Sequence, residues 1–189
     1  MRITGGQARG IPLHLPKDDA VRPATDALRQ AVFSSLAHLV PGASFLDLFA
    51  GSGAYGLEAL SRGATGGTWV EKNARTATFI HQNITAVCKS LGRDTRNLQV
   101  VAADATSVAW GLPADLVFID PPYDIIREFA PKLFERLAVY LETKPEGLVV
   151  FEMPGEIDLS PAGWTCVKRI GKGTRQPTAC VFRASRAAP

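Results

Sequence analysis

Two hydrophobic periodicities alternate along this chain. Short apolar runs at Phe45–Leu48, Gly67–Glu71, Asn97–Ala103, Ala114–Ile119 and Gly147–Glu152 predict buried strands. Between them, apolar residues recur at helical spacing. Leu28, Ala31, Val32 and Leu36 mark one helix over Ala27–Leu36, with Thr25 or Asp26 able to cap it. Ala74, Ala77, Ile80, Ile84, Val87 and Leu91 mark a second, and Phe129, Leu133, Leu137 and Leu141 a third. Gly56–Ser61 opens another helix directly after a glycine-rich turn. Strands alternating with helices predict a parallel sheet, and Gly163–Lys168 with Thr178–Arg183 adds an antiparallel pair at its edge. The pattern is that of a doubly wound α/β domain with mixed edge pairing.

Residues 1–16 carry two short extended pieces around glycines, and Pro12 argues against a central strand there. A segment this small cannot form its own core, so it must pack on the main domain or on the substrate. The expected division is a β appendage over residues 1–20, the main domain over 21–184 and a loose tail over 185–189.

Composition narrows the class. The 189 residues are 46% hydrophobic and 21% charged, enough to bury one substantial core. Cys88, Cys166 and Cys180 are odd in number and widely spaced, which fits neither a disulfide framework nor a zinc cluster; no metal is expected. No apolar run is long enough to span a membrane and no signal peptide is visible, so the expected setting is cytoplasmic. The formal charge of +3 is unevenly spread: Arg2, Arg9 and Lys17 precede the first acid, and Lys168, Arg169, Lys172, Arg175, Arg183 and Arg186 close the chain without one. Basic ends on a nearly neutral middle allow a polyanion-binding face or a merely solvated surface. A monomer is expected, since no spare apolar helix stripe stands out.

Candidate chemistry gathers at two turns. Phe45–Leu48 runs into Phe49-Ala-Gly-Ser-Gly53, and Gly51, Gly53 and Gly56 match the spacing of a nucleoside-binding β-turn-α unit. Glu71 ends the next strand twenty residues after Gly51, placed to accept both ribose hydroxyls of a nucleoside. Asp47 is a carboxylate inside an apolar strand, which must cap the turn or meet a polar ligand. Asp104, at the end of the third strand, can accept from an adenine amino group or cap a helix. Arg22 and Thr25 stand just ahead of a helix start, where anions are often held.

The second turn is Asp120-Pro-Pro-Tyr123. Pro121 and Pro122 remove two backbone donors, so the loop presents acceptors only, suited to an amino group, while Tyr123 adds a ring for stacking on a base. Following the fourth strand, it should open at the same carboxyl edge as the glycine turn.

These residues resemble a known family. Arg2–Gly6, Arg22–Asp26 with Arg29, Phe45–Gly63 and Phe118–Tyr123 together are similar to the RsmD family of bacterial 16S ribosomal RNA guanine-N2 methyltransferases. The resemblance implies a single Rossmann-like class I methyltransferase domain with a mostly parallel seven-stranded sheet, using S-adenosylmethionine and releasing S-adenosylhomocysteine. Asp47, Phe49, Ala50, Gly51, Ser52 and Gly53 would then follow the methionine and ribose, Glu71 the ribose hydroxyls, with Lys72 a solvated neighbour. Asp104 and Ala105 would meet the adenine, and Arg22 and Thr25 the methionine carboxylate. Asp120, Pro121, Pro122 and Tyr123 would hold the target guanine, with Asp120 also beside the cofactor. Arg2, Arg9, Arg22, Arg29, Lys172 and Arg175 would face the 16S RNA, within a small-subunit particle. The family's final strand usually reads Gly-x-Val-x-Tyr-x-Leu-Tyr; here Arg175–Phe182 departs from it, and Pro177 weakens the expected start of that strand. The rival readings are an adenine-N6 nucleic-acid methyltransferase, sharing the same loop, and an RNA-binding module with a vestigial cofactor fold.

Overall fold

Alternating strands and helices place five parallel strands at the centre of the molecule and an antiparallel pair at one side. The structure is a computed structural model that describes residues 1–15, 26–171 and 173–185. The strands are β1 (Ser44–Leu48), β2 (Gly66–Glu71), β3 (Leu98–Ala102), β4 (Leu116–Ile119), β5 (Leu148–Pro154), β6 (Trp164–Ile170) and β7 (Pro177–Ala184). They form one seven-stranded sheet in the order β3-β2-β1-β4-β5-β7-β6, with β7 antiparallel to both β5 and β6. The helices are α1 (Asp26–Ser35), α2 (Ala54–Ser61), α3 (Ala74–Leu91) and α4 (Ile126–Tyr140). The chain order reverses between β1 and β4, which opens a crevice at their carboxyl ends.

The alternation along each strand sorts side chains onto two faces. Phe45 and Phe118 pack with Phe33, Tyr55 and Trp69 under α1, α2 and α3. Leu46, Val117 and Phe151 pack with Phe134, Trp110 and Trp164 on the side of α4. Helix α2 is buried on all sides. Gly56 explains how it sits so close: a Cβ there would lie 2.4 Å from the Trp69 ring nitrogen and 2.5 Å from the Phe45 ring.

Pro177 opens β7 opposite Pro154, the last residue of β5, so neither proline removes a donor from the middle of the ladder. The β6–β7 turn therefore stands at the same edge as the crevice. The outer strand β6 exposes Thr165 to Arg169 and is broken by a bulge between Cys166 and Lys168, both features that discourage edge pairing.

Residues 1–15 are held to the main body rather than free to follow a substrate. Arg2 and Pro12 form a single antiparallel bridge, and Ile3, Ala8 and Leu13 are buried. The attachment is polar as well. Fully buried Glu58 accepts from the Thr4 and Gly5 amides at 2.9 Å and from the Thr4 hydroxyl at 2.7 Å. It also pairs with Arg29 Nε at 3.2 Å and with Arg62. Arg29 in turn donates to the Arg2 carbonyl at 2.6 Å and to Asp26 at 2.8 Å. Arg29, expected against RNA, is thus fully buried and belongs to this cluster.

Candidate active site

The glycine turn leaves β1 in a backbone that few residues tolerate. Phe49 has φ of 58°, the single non-glycine left-handed residue among those described, followed by Gly51 at 53° and Gly53 at 78°. Such strain is held by surrounding contacts. The Gly51 amide donates to Glu71 Oε2 at 2.8 Å, and the Gly53 carbonyl accepts from the Trp69 ring nitrogen at 3.1 Å. Buried Asn83 donates to the Ser52 carbonyl at 2.9 Å and brackets His14 through both its amide and its carbonyl. The Ser52 hydroxyl donates to the Met1 sulfur at 3.3 Å. Met1 and His14, near the two ends of the amino-terminal segment, therefore both brace the turn at Ser52.

Asp47 resolves its anomaly by capping from a distance. Its Oδ2 accepts from the amide of Gly56 at 2.9 Å, one of the orphan donors in the first turn of α2. Glu71 spends one oxygen on Gly51 and the other on Asn73 N at 2.8 Å, leaving a lone pair on each. Asp104 accepts from Lys72 at 2.8 Å and from the amide and hydroxyl of Thr106 at 2.9 and 2.7 Å, so both of its oxygens are engaged locally. Lys72 is 78% exposed. Ala105 is buried beneath.

Asp120, Pro121, Pro122 and Tyr123 follow β4 into a short 3₁₀ turn, Tyr123–Ile125, that leads into α4. Together with the glycine turn, Glu71 and the Asp104 loop they enclose a cleft of about 1040 Å³. That is room for a nucleoside and a second planar group. Phe49 and Phe129 meet edge to face at 5.4 Å along one wall. Of the predicted cofactor side, Asp47, Phe49, Ala50, Gly51, Ser52, Glu71, Lys72, Asp104, Ala105 and Asp120 line this cleft. Gly53 sits just behind it as the amino-terminal cap of α2. Arg22, Thr25 and Lys172 lie outside the described residues.

The basic ends divide. Arg175 stands exposed in the β6–β7 turn, at the cleft edge of the sheet. Arg183 reaches Glu146 at 3.7 Å near the opposite edge, and Arg169 donates to the Gly155 and Ile157 carbonyls. Arg9 is exposed but follows Gln7, whose amide bonds Ser61 at the far end of α2, roughly 12 Å along that helix from the glycine turn. The Arg2 side chain is exposed.

Sequence reasoning missed three groups. Lys132 on α4 lines the cleft mouth. Arg136 stacks over Trp110 at 4.1 Å and donates to the carbonyls of Ala105, Thr106 and Val108, fixing the loop that follows Asp104. Asn83 interrupts the apolar stripe of α3, a visible sign that it has a buried partner.

Electrostatically the cleft floor is acidic. Burial pushes the Asp47 carboxyl up to about 8, partly offset by the Gly56 amide. Burial and the neighbouring Glu152 and Asp47 hold Asp120 well above the usual carboxylate range. Burial lifts Glu152 to about 7 against the opposing pull of the Tyr55 hydroxyl. In the folded chain these groups bind protons more tightly than in the unfolded one. The stability they contribute is complete below the unfolded value of about 4 and is lost as pH rises through 7 to 8. Asp104 and Asp94, held near 2 by Lys72 and Arg96, contribute stability that is present above about pH 4 and lost only as pH falls toward 2, outside this window. The thermal midpoint should therefore fall between about pH 5.5 and pH 8.5, with a shallower slope in Asp47→Asn. A flat or rising midpoint in calorimetry would count against a buried acidic floor.

A family profile described as conserved hypothetical protein 95 matches residues 1–180. Ribosomal RNA small subunit methyltransferase D of Escherichia coli strain K12 is 40% identical over 125 residues, 65% of this chain and 60% of that protein, so the match spans under two thirds of the relative's length. The Haemophilus influenzae protein of the same name is 30% identical over 176 residues, covering 92% of this chain and 89% of the relative. The solved structure of Escherichia coli yhhF superposes with a TM-score of 0.76 at 32% identity, over 98% of both chains.

Proposed function

From the premise that this chain belongs to the conserved hypothetical protein 95 family, that of the ribosomal RNA small subunit methyltransferases D, we propose that it methylates the exocyclic N2 of one guanine in 16S ribosomal RNA. The carrying observation is the meeting of the glycine turn and the Asp120 loop in one cleft. S-adenosylmethionine fits the residues present. The glycine turn lets a ligand approach its backbone, and Glu71 keeps two lone pairs for hydroxyls. Bound there, it supplies an electrophilic sulfonium methyl.

The rest follows from the chain's own groups. Guanine N2 is a weak nucleophile because its lone pair is delocalised into the ring. Asp120 and the Pro121 carbonyl accept its two hydrogens, which favours a pyramidal nitrogen whose lone pair can point out of the ring plane. Positioning and fixed dipoles then supply most of the acceleration. Asp120 takes the proton that the nitrogen releases once it carries a positive charge. Tyr123 stacks on the extruded base, returning about 1–3 kcal/mol toward the few kcal/mol that flipping costs. Arg175 and Lys132, at the cleft edge and mouth, meet phosphates.

Incubation of small-subunit particles with labelled S-adenosylmethionine should place label on the RNA, and less of it as salt rises. Label on the particle's proteins alone would overturn the reading.

A further inference from the structure

The register of the sheet brings together three carboxyls of which the proposed chemistry uses one directly. Asp47 pairs with Phe118 across β1 and β4, and Phe118 with Val150 across β4 and β5. Residues two apart on a strand share a face. Asp120 and Glu152, each two residues further along, therefore stand beside one another on the face that carries Asp47. That face is covered by α1, α2 and α3, with Arg29 of α1 and Tyr55 of α2 nearest the pair. Glu152 is 1% exposed, and its Oε2 accepts from the Tyr55 hydroxyl at 2.7 Å. Tyr55 is itself clamped between Phe33 at 6.1 Å and Phe118 at 5.3 Å.

Among the described residues, few groups face this pair. Arg29 comes from α1, Tyr55 from α2 and Asp47 from β1. From β7, Ala179 lies opposite Glu152 and brings no charge. Arg29 is the cation of the set, and Glu58 and Asp26 already draw on it. Two carboxyls side by side in such surroundings cannot both ionise cheaply.

We propose that Glu152, held by Tyr55, is a positioning residue for Asp120: the two carboxyls share one proton, and Glu152 thereby sets the pH at which Asp120 becomes an acceptor for the substrate amine. The inference rests on the reading of Asp120 given above. In the balance, the nitrogen–carbon bond forms as the methyl's bond to sulfur breaks, that electron pair staying on sulfur, and the nitrogen, then positive, gives its proton to the Asp120 carboxylate. The Asp120–Glu152 pair then holds one proton more, which leaves to water when the site opens.

Glu152→Gln keeps the volume and still offers Tyr55 an acceptor, but removes the charge. Without its like-charged neighbour, Asp120 should titrate at least about one unit lower, and the acid limb of kcat should move with it. Well down that acid limb the variant then retains about tenfold more of its own plateau activity than the parent does of its plateau, for a shift of about one unit. Tyr55→Phe should move the limb the same way by less, because an unbonded Glu152 holds its proton more tightly and carries less charge.

Two readouts separate the possibilities. Carbon-13 NMR of labelled aspartate carboxyls, with S-adenosylhomocysteine bound and Asp120 assigned from the spectrum of Asp120→Asn, follows the midpoint without RNA. An unchanged Asp120 midpoint in both Glu152→Gln and Tyr55→Phe overturns the proposal. A shifted midpoint in a protein that transfers no methyl group to RNA upholds the carboxyl pair and removes the functional reading instead.

Discussion

Asp120→Ala should lower turnover on RNA by about 10²–10⁴-fold while changing the affinity for S-adenosylhomocysteine by less than about threefold. The asymmetry follows from where Asp120 sits. It follows β4 into the proline turn, on the side of the cleft away from Glu71 and the Asp104 loop. Its loss removes the acceptor for the amine and the sink for its proton, both needed only as the nitrogen reacts. The neutral product is the right probe, since removing a carboxyl also alters the field felt by a cation. Asp120→Asn keeps one carbonyl oxygen and should fall between the two. Single-turnover rates with saturating cofactor, beside calorimetric binding of S-adenosylhomocysteine, measure both quantities. Equal losses in rate and product affinity would mean that Asp120 holds the cofactor rather than the base.

Glu58→Ala should cost about 3–5 kcal/mol of stability, the usual consequence of leaving a buried ion-pair partner uncompensated. Five donors converge on this carboxylate: the Thr4 and Gly5 amides, the Thr4 hydroxyl, Arg29 and Arg62. Arg29 is fully buried, and its bonds to half-exposed Asp26 and to the Arg2 carbonyl do not replace the buried charge that is lost. At about 2–4 °C per kcal/mol for a chain of this size, the thermal midpoint should drop by roughly 6–20 °C. Residues 1–15 should become accessible to protease as well, because Glu58 is their main polar anchor. The effect also reaches the site, since Met1 and His14 brace the glycine turn. A midpoint within a degree or two of the parent would show that the cluster contributes little net stability.

Much of the fold was legible because the central strands are buried on both faces and separated by amphipathic helices. The helix read over Ala74–Leu91 matches α3 residue for residue, capped by the Asn73 side chain and closed by Gly92 in the left-handed region. The last two strands were also visible, and Pro177 proved compatible with the strand it begins because its partner is another strand end. At the site, the glycine turn and the proline loop could be placed on one edge because strand order forces it. What escaped was everything decided by distant pairing. Arg29 is expected against RNA until α2 brings Glu58 against it. Arg9 reads as part of a basic arm until Gln7 ties its turn to the far end of α2. Glu152 reads as an ordinary strand end until the register sets it beside Asp120 and under Tyr55. A glutamate inside the apolar helix Ala54–Ser61, and an asparagine on the apolar stripe of α3, were the local signals available. Each is a polar group that burial makes costly without partners.

Selection of the exocyclic amine of guanine is the task proposed for the cleft. Its most direct test is methyl transfer from labelled S-adenosylmethionine to small-subunit particles from cells lacking the endogenous enzyme, with the modified nucleoside identified by mass and chromatographic position. N2-methylguanosine at a single 16S site is the expected product. N6-methyladenosine in its place would contradict the choice of base while keeping the chemistry of the Asp120 loop, and absence of any methylated nucleoside would contradict the account as a whole.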